Sequence, residues 1–232
     1  MHNSIVIPNQ NAEVLGHPMS STKALLRCSI AAGPVFLLIF AMEVIGRPEF
    51  HFSQTEPSLL SLGPWGWIQI ANCVFAGLLT VGGAVGVRRV LRSVKGGFAG
   101  PLLLGVFGVC QASEGVFVVD QVGSPEGMTF HGKMHILFGM TGFMALMASC
   151  FVFGYMFFSR RQKGWSIFCV LTGFLFLSGF LSAASVQSGD TTRIQLFLNL
   201  LFVLEWIWIP SISGRVLRNH LMPPTAQEMR RS

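Results

Sequence analysis

Six long apolar segments, separated by short polar stretches, constrain the fold of this chain more than any other feature. Each segment is 23 to 28 residues long, and together they cover residues 23–46, 65–87, 98–122, 131–158, 165–187 and 192–217. A helix rises about 1.5 Å per residue, so each segment can cross the roughly 30 Å of membrane hydrocarbon with some tilt. Lipid admits only helices or closed barrels, and the segments lack the period-two alternation of barrel strands. The sequence therefore predicts an all-α bundle of six transmembrane helices.

The composition excludes an ordinary soluble protein. Of the 232 residues, 51% are hydrophobic and only 11% are charged, and the mean hydropathy is +0.59. Soluble domains have about 25% charged residues, which they need to coat a water-facing surface. We therefore predict the lipid bilayer as the main partner. The net charge of +6 would suggest nucleic acid in a soluble protein, but we predict no nucleic-acid partner because the basic residues are arranged by side of the membrane.

The basic residues predict the orientation of the bundle. Thirteen of the sixteen Lys and Arg residues fall on one side: Lys23, Arg27, Arg88, Arg89, Arg92, Lys95, Arg160, Arg161, Lys163, Arg215, Arg218, Arg230 and Arg231. Cytoplasmic loops of membrane proteins carry such an excess. We therefore predict that both termini are cytoplasmic, in a multi-pass protein of the plasma (inner) membrane. Residues 1–22 and 219–232 are predicted to be flexible tails around a transmembrane domain at 23–218.

On this topology, most polar side chains within the apolar segments lie in their outer halves. The candidates for a ligand pocket are Asn72, Gln111, Gln187, Gln195 and Asn199. Two of these, Gln195 and Asn199, share a helical face by their i, i+4 spacing. Polar groups cost free energy inside a membrane unless they have polar partners or water. Because these residues lie at a similar depth, we predict that they line a polar pocket that opens to the outside.

Two acids within the apolar segments require a reason of their own, because an ionised residue at a helix centre costs about 2.5–3.5 kcal/mol. Glu114 shares a face with Gln111 and is either a hydrogen-bonded structural acid or a proton carrier or general acid. Glu205 is the deepest acid in the chain. It lies about 120° around its helix from Asn199, so we expect it to make a separate contact. Glu43 and Arg47 have the favoured i, i+4 order of an ion pair.

The turn between the third and fourth segments carries Asp120, His131 and His135. In one interpretation, Asp120 caps the fourth helix or pairs with His131 and so holds the hairpin together. In a second, the three residues form a proton or ligand site, and in a third they hold a metal. The positive end of the helix keeps the imidazoles neutral, which suits every interpretation. No HExxH pattern accompanies the histidines, and we assign no metal and no cofactor.

Long stretches of the chain resemble a family of bacterial six-helix membrane proteins known as domain of unknown function 998 (DUF998). The most specific part is the pattern GVF-x-x-D…HG-x-x-H, matched here by Gly115, Val116, Phe117, Asp120, His131, Gly132 and His135. The likeness covers approximately residues 25–218. It implies the six-helix fold and brings no activity with it.

Three classes of function fit these observations. The first is binding of a lipid-like or isoprenoid amphiphile in an outward-opening pocket lined by polar and aromatic residues. The second is a membrane-embedded enzyme, with Asp120, His131 and His135 holding a metal-activated water, or with Glu114 and Glu205 as general acids in isoprenoid chemistry. The third is proton-coupled transport through the same two glutamates, for which six helices without an inverted repeat are a weak signature.

Overall fold

The structure, a computed structural model, describes residues 19–94, 97–121, 127–184 and 192–221. Within these ranges the chain forms α-helices and one short 3-10 helix, and it has no strand. The helices are α1 (Met19–Gly46), α2 (Gly66–Val90), α3 (Ala99–Val116), α4 (Phe130–Ser159), α5 (Lys163–Ala184) and α6 (Thr192–Leu221), and the 3-10 helix is Pro57–Ser61. All six α-helices are long and apolar enough to cross a membrane. The predicted all-α fold of six membrane-spanning helices is confirmed, and the sidedness of the termini stays a prediction.

The helices form a closed ring in chain order. Each packs against the next, α1 packs against α6 to close the ring, and α2 reaches across to α6. Much of the interior is aromatic, with Phe36 and Trp206 stacked at 4.1 Å between ring centroids. Trp208 and Phe153 pack edge to face at 5.9 Å, and all four side chains are buried.

The basic residues gather at the end of the bundle where α1 begins and α6 ends. There, Arg89 donates a hydrogen bond to Ser21 Oγ at 3.1 Å, and Arg215 donates to the Gln162 side chain at 3.0 Å. Each bond joins two chain positions that are separated by two helices. Two successive crossings bring the chain back to the same end of the bundle, so the two positions lie together. The last residues of α1, α3 and α5 and the first residues of α2, α4 and α6 lie at the opposite end, which we call the outer end on the basis of the charge distribution.

The observed helix boundaries differ from several of the predicted ones, among them the end of α6, which is at Leu221 rather than at residue 217. Helix α1 begins at Met19, four residues before the predicted segment. Helix α3 ends at Val116 rather than at residue 122, because the chain leaves helical geometry at Phe117 (φ −98°, ψ 89°). Asp120 is therefore beyond the helix, in a connection that turns back toward α4.

Candidate functional site

Asp120 ties the end of α3 to the start of α4. Its carboxylate accepts one hydrogen bond from the Thr129 backbone N–H at 2.7 Å and another from the Thr129 hydroxyl at 2.6 Å. Thr129 is the N-cap of α4, and its hydroxyl oxygen accepts from the Gly132 N–H at 3.1 Å. The hydroxyl bond and the backbone bond from Thr129, helped by the charges of His131 and His135, lower the pKa of Asp120 below its ordinary range.

Gly132 leaves the space that this carboxylate occupies. A Cβ atom built on Gly132 would overlap Asp120 Oδ2. The glycine therefore lets the carboxylate lie directly against the first turn of α4, where the helix dipole favours negative charge. This close approach gives a physical reason for the glycine that follows His131.

The two histidines have separate partners. His135 Nδ1 is 2.8 Å from the Phe117 carbonyl oxygen, and because a carbonyl only accepts, Nδ1 carries a proton. His131 is exposed and lies against the rings of Phe117 and Phe130, at centroid distances of 5.5 and 6.3 Å. The predicted clasp therefore forms with a different partner, since Asp120 bonds Thr129 rather than His131. Among the described residues, no three His, Cys, Asp or Glu side chains converge as a metal site requires.

A second tie holds the α1–α2 connection at the outer end. Arg47 forms an ion pair with Glu43 at 2.9 Å and donates a further bond to the Leu60 carbonyl oxygen at 2.7 Å. Both charged side chains are buried. Leu60 belongs to the 3-10 helix, so Arg47 holds that helix against the end of α1. This confirms the ion-pair interpretation of Glu43 and Arg47.

Asn199 makes a third tie, from α6 to the same connection. Its Nδ2 donates to the carbonyl oxygens of Phe52 at 2.5 Å and Thr55 at 2.9 Å, and its Oδ1 accepts from Gln195 Nε2 at 2.9 Å. The amide thus satisfies backbone groups that would otherwise be unpaired in a partly buried turn. Gln195 supports it from one helical turn away.

Between these ties lies a cavity of about 300 Å³, which we call the central cavity. The lining comes from α2, α3, α4, α6 and the connection that contains the 3-10 helix. Its polar residues are Glu56, Ser58, Ser61, Gln69, Gln111, Glu114, His135, Gln195, Asn199 and Glu205, and its aromatic residues are Phe107, Phe143 and Phe202. Along α6 the lining extends from Gln195 to Glu205, which is about 15 Å at 1.5 Å per residue.

The cavity brings together six of the ten residues predicted for the site: Gln111, Glu114, His135, Gln195, Asn199 and Glu205. Asp120 lies instead at a separate surface cleft beside Gly132, and His131 lines neither. Asn72 is buried and donates to the Phe36 carbonyl and to Gln69 Oε1, both at 3.2 Å, so it joins α2 to α1. Gln187 lies outside the described residues.

Glu205 corrects the expectation of a separate contact. Its side chain is 6% exposed and lines the same cavity as Asn199. The angle of about 120° relates Glu205 to Asn199 alone and leaves out the apolar residues of α6. The apolar lining residues Leu198 and Phe202 precede Glu205 by seven and three positions, which places all three on one helical face. The cavity therefore extends around more of α6 than the polar residues alone indicate.

Glu114 lines the cavity at a point where α4 has a glycine, Gly139, and therefore no side chain. A Cβ atom built on Gly139 would be 3.1 Å from Glu114 Oε1, so the carboxyl group lies close to the α4 backbone. One turn further along α4, Gly142 is in similar proximity to the Cβ of Cys110. Together with Gly132, these glycines form the side of α4 that receives the side chains of α3 and of the Asp120 turn.

Several lining residues were missed from the predicted site. Gln69 and Cys73 line the cavity from α2, and their i, i+4 spacing gave a signal that could have placed them on one face. The contribution of Glu56, Ser58 and Ser61 had no such signal. These three residues reach the cavity because Arg47 and Asn199 fold the α1–α2 connection over it, and long-range bonds of this kind leave no periodic pattern.

Residues 30–213 match the model of a family described as "Protein of unknown function (DUF998)". The match covers more than half of the chain and nearly all of the helical bundle. No curated protein and no solved structure shows significant similarity to the chain.

Proposed function

Because the chain belongs to the DUF998 family, whose description supplies no activity, we propose a function on the basis of the site: this multi-pass membrane protein binds a lipid-like amphiphile in the central cavity. The proposal depends most on one observation. A cavity of about 300 Å³ inside the bundle is lined by both polar side chains and aromatic rings. Small-molecule sites are typically concave, about 300–1,000 Å³ in volume, and mostly apolar with a few convergent polar groups.

The distribution of the lining residues fits a molecule with two chemically different parts. Gln69, Gln111 and Glu114 present polar groups from α2 and α3, whereas Phe107 and Phe202 present rings. Phe107 also packs against the buried Trp206 at 5.9 Å, so the apolar side of the cavity is backed by the aromatic core. A polar ligand alone would leave the rings unmatched, and an apolar ligand alone would leave the amides and carboxyls unpaired.

The position of the cavity supports entry from the outer end. The 3-10 helix contributes Ser58 and Ser61, and Glu56, just before it, is exposed. On the predicted topology this end faces away from the cytoplasm. An amphiphile from the outer leaflet or the medium would therefore meet Glu56 first and Glu205 last.

The proposal is tested by identifying what the protein carries. The full chain is purified in mild detergent, and its organic extract is analysed by mass spectrometry beside that of a variant with a blocked cavity. Gly139→Leu introduces a large side chain where Glu114 now lies. Gly214→Leu is the matched control, because nothing lies within 4 Å of a Cβ atom built there. We expect an amphiphile with the native chain and with Gly214→Leu, and its loss with Gly139→Leu. Equal amounts of amphiphile in all three preparations, or none in any, would contradict the proposal.

A further inference from the structure

We infer that the polar group of the ligand is a cation, such as a protonated amine or a quaternary ammonium group, held between Glu114 and Glu205. This inference rests on the proposed function, because it names the chemistry of the ligand in the same cavity. It depends on which charges line the cavity, which of them already have partners, and which rings lie beside them.

The charge of the cavity is opposite to that of the chain as a whole. The chain has sixteen Lys and Arg residues against ten Asp and Glu residues. Yet the lining includes three glutamates, Glu56, Glu114 and Glu205, and neither Lys nor Arg. The one lining side chain that can become positively charged is His135, near the outer end, whose Nδ1 is engaged by the Phe117 carbonyl.

The two deep glutamates differ in one respect from Glu43, the other acid inside a helix at this end of the bundle: they have no counter-charge. Glu43 is paired with Arg47 at 2.9 Å, which is the one ion pair within the described residues. Glu114 and Glu205 face the cavity without such a pair. A buried carboxylate is costly unless an opposite charge or hydrogen-bond donors compensate it. A cation between the two groups would supply that compensation from the ligand.

Aromatic rings complete the environment of a cation. Phe107, Phe143 and Phe202 line the cavity together with the two acids. The face of an aromatic ring attracts a cation within about 6 Å of its centroid, and quaternary ammonium groups are often recognised in this way. Rings also tolerate the alkyl substituents of such a group, which an amide or hydroxyl does not. A neutral alcohol could donate one hydrogen bond to an acid, but it would gain neither the charge pairing nor the attraction of the rings for a cation. A carboxylate would be repelled by both acids.

The experiment compares three probes that have the same chain and different polar groups: hexyltrimethylammonium, hexanol and hexanoate. Binding to the purified full chain is measured by isothermal titration calorimetry and by the shift in melting temperature. We expect hexyltrimethylammonium to bind about tenfold or more tightly than hexanol, and hexanoate not to bind. Equal binding of the cation and the alcohol, or preference for hexanoate, would overturn the inference and leave the proposed function intact. Failure of all three probes, in a protein that also yields no bound amphiphile, would remove both.

Substitutions of the two glutamates test whether these residues bind the cation. Glu114→Gln and Glu205→Gln keep the shape of the side chain and remove its charge. Each should weaken hexyltrimethylammonium binding by about tenfold and leave hexanol binding unchanged. Glu49→Gln is the control, because Glu49 is exposed and does not line the cavity. Loss of cation binding in the control to the same extent would show that net charge, rather than the cavity, attracts the probe. The probe series on the native chain remains decisive if a glutamine variant fails to fold.

Discussion

Polar side chains at the outer end of the bundle fall into two groups that differ in what they contact. The first, which we call the rim ties, consists of Arg47, Asn199 and Asp120. Each bonds the backbone of a neighbouring connection at 2.5 to 2.9 Å. The second, which we call the acidic wall, consists of Glu114 and Glu205. Both face the central cavity, and neither forms an ion pair with a described residue.

This difference separates stability from function. A polar group that bonds the backbone contributes to the free energy of folding, because removing it leaves its partners unpaired. An acid that lines a cavity without a counter-charge costs free energy in the empty protein, and such groups are commonly retained for function. Substitutions in the rim ties should therefore destabilise the fold. Substitutions in the acidic wall should alter binding and leave stability unchanged or improved.

The largest effect is expected for Arg47→Met. Removing the guanidinium leaves the buried Glu43 carboxylate without its counter-ion and the Leu60 carbonyl without a donor. Breaking a buried ion pair from one side typically costs about 3–5 kcal/mol. We expect a loss at the lower end of that range, about 3 kcal/mol, in denaturant unfolding followed by tryptophan fluorescence in detergent.

The matched control is the double variant Glu43→Leu/Arg47→Met, which removes both charges and keeps the volume apolar. Replacing a whole buried pair by apolar residues is often neutral. The double variant should therefore recover most of the stability that Arg47→Met loses. If the two variants are equally unstable, the bond to Leu60 and not the ion pair makes the larger contribution.

A smaller loss is expected for Asn199→Leu, which removes both donors to the α1–α2 connection. Leaving buried carbonyls unpaired costs about 1–3 kcal/mol, and because these two are partly buried we expect a loss at the lower end, about 1 kcal/mol. Gln195→Leu is the comparison, because Gln195 bonds only the Asn199 oxygen. Gln195→Leu should lower the free energy of unfolding by less than half as much as Asn199→Leu in the same measurement. Equal losses would show that the two amides act as one unit.

Much of the fold could be predicted from the sequence, because lipid leaves few alternatives to an apolar segment of sufficient length. The end of α3 could not. Residues 117–120 are as apolar as the helix before them, and the chain turns there because the Asp120 carboxylate is held by Thr129 across the connection. Local propensity carries no information about that bond.

The site residues that could be predicted from the sequence are those that share a helical face through their spacing. Gln111 with Glu114, and Gln195 with Asn199, were placed together by their spacing and do line one cavity. Asn72 has the same outer-half position and is instead used to join α2 to α1. Position along a helix therefore predicts depth, whereas partner choice depends on which neighbour each side chain faces in three dimensions.

Asp120→Asn tests the tie at the α3–α4 connection. The carboxylate accepts on both oxygens, and an amide can accept on only one, so the melting temperature should fall by a few degrees at neutral pH. The lowered pKa of Asp120 means that the folded state binds this proton less tightly than the unfolded state. Its stabilisation is therefore complete above the ordinary aspartate range and is lost as the pH falls through the lowered value. The difference between the native chain and the variant should shrink in acid, and a constant difference would contradict the tie.

Gly132→Ala sharpens the same test, because it places a Cβ atom where the Asp120 carboxylate lies. Alanine is favoured over glycine in a helix by about 1 kcal/mol. In a chain that already carries Asp120→Ala, Gly132→Ala should raise the free energy of unfolding by that amount. In the native chain, Gly132→Ala should leave the free energy of unfolding unchanged or lower it, because the Asp120 carboxylate is displaced. An equal gain in both backgrounds would show that the carboxylate does not depend on the glycine.

A small effect on stability is expected for Glu205→Leu, and it has the opposite sign. Leucine is close to glutamate in size, adds apolar surface beside Phe202, and removes an acid that has no counter-charge among the described residues. The empty protein should become more stable by about 1 kcal/mol, while hexyltrimethylammonium no longer raises its melting temperature. Leu198→Ala, also in the cavity lining, is the comparison. It should lower stability, and hexyltrimethylammonium should still raise its melting temperature. If Glu205→Leu destabilises the chain as much as Asn199→Leu does, Glu205 has a structural role like that of the rim ties. The acidic wall would then not be a separate, ligand-binding group.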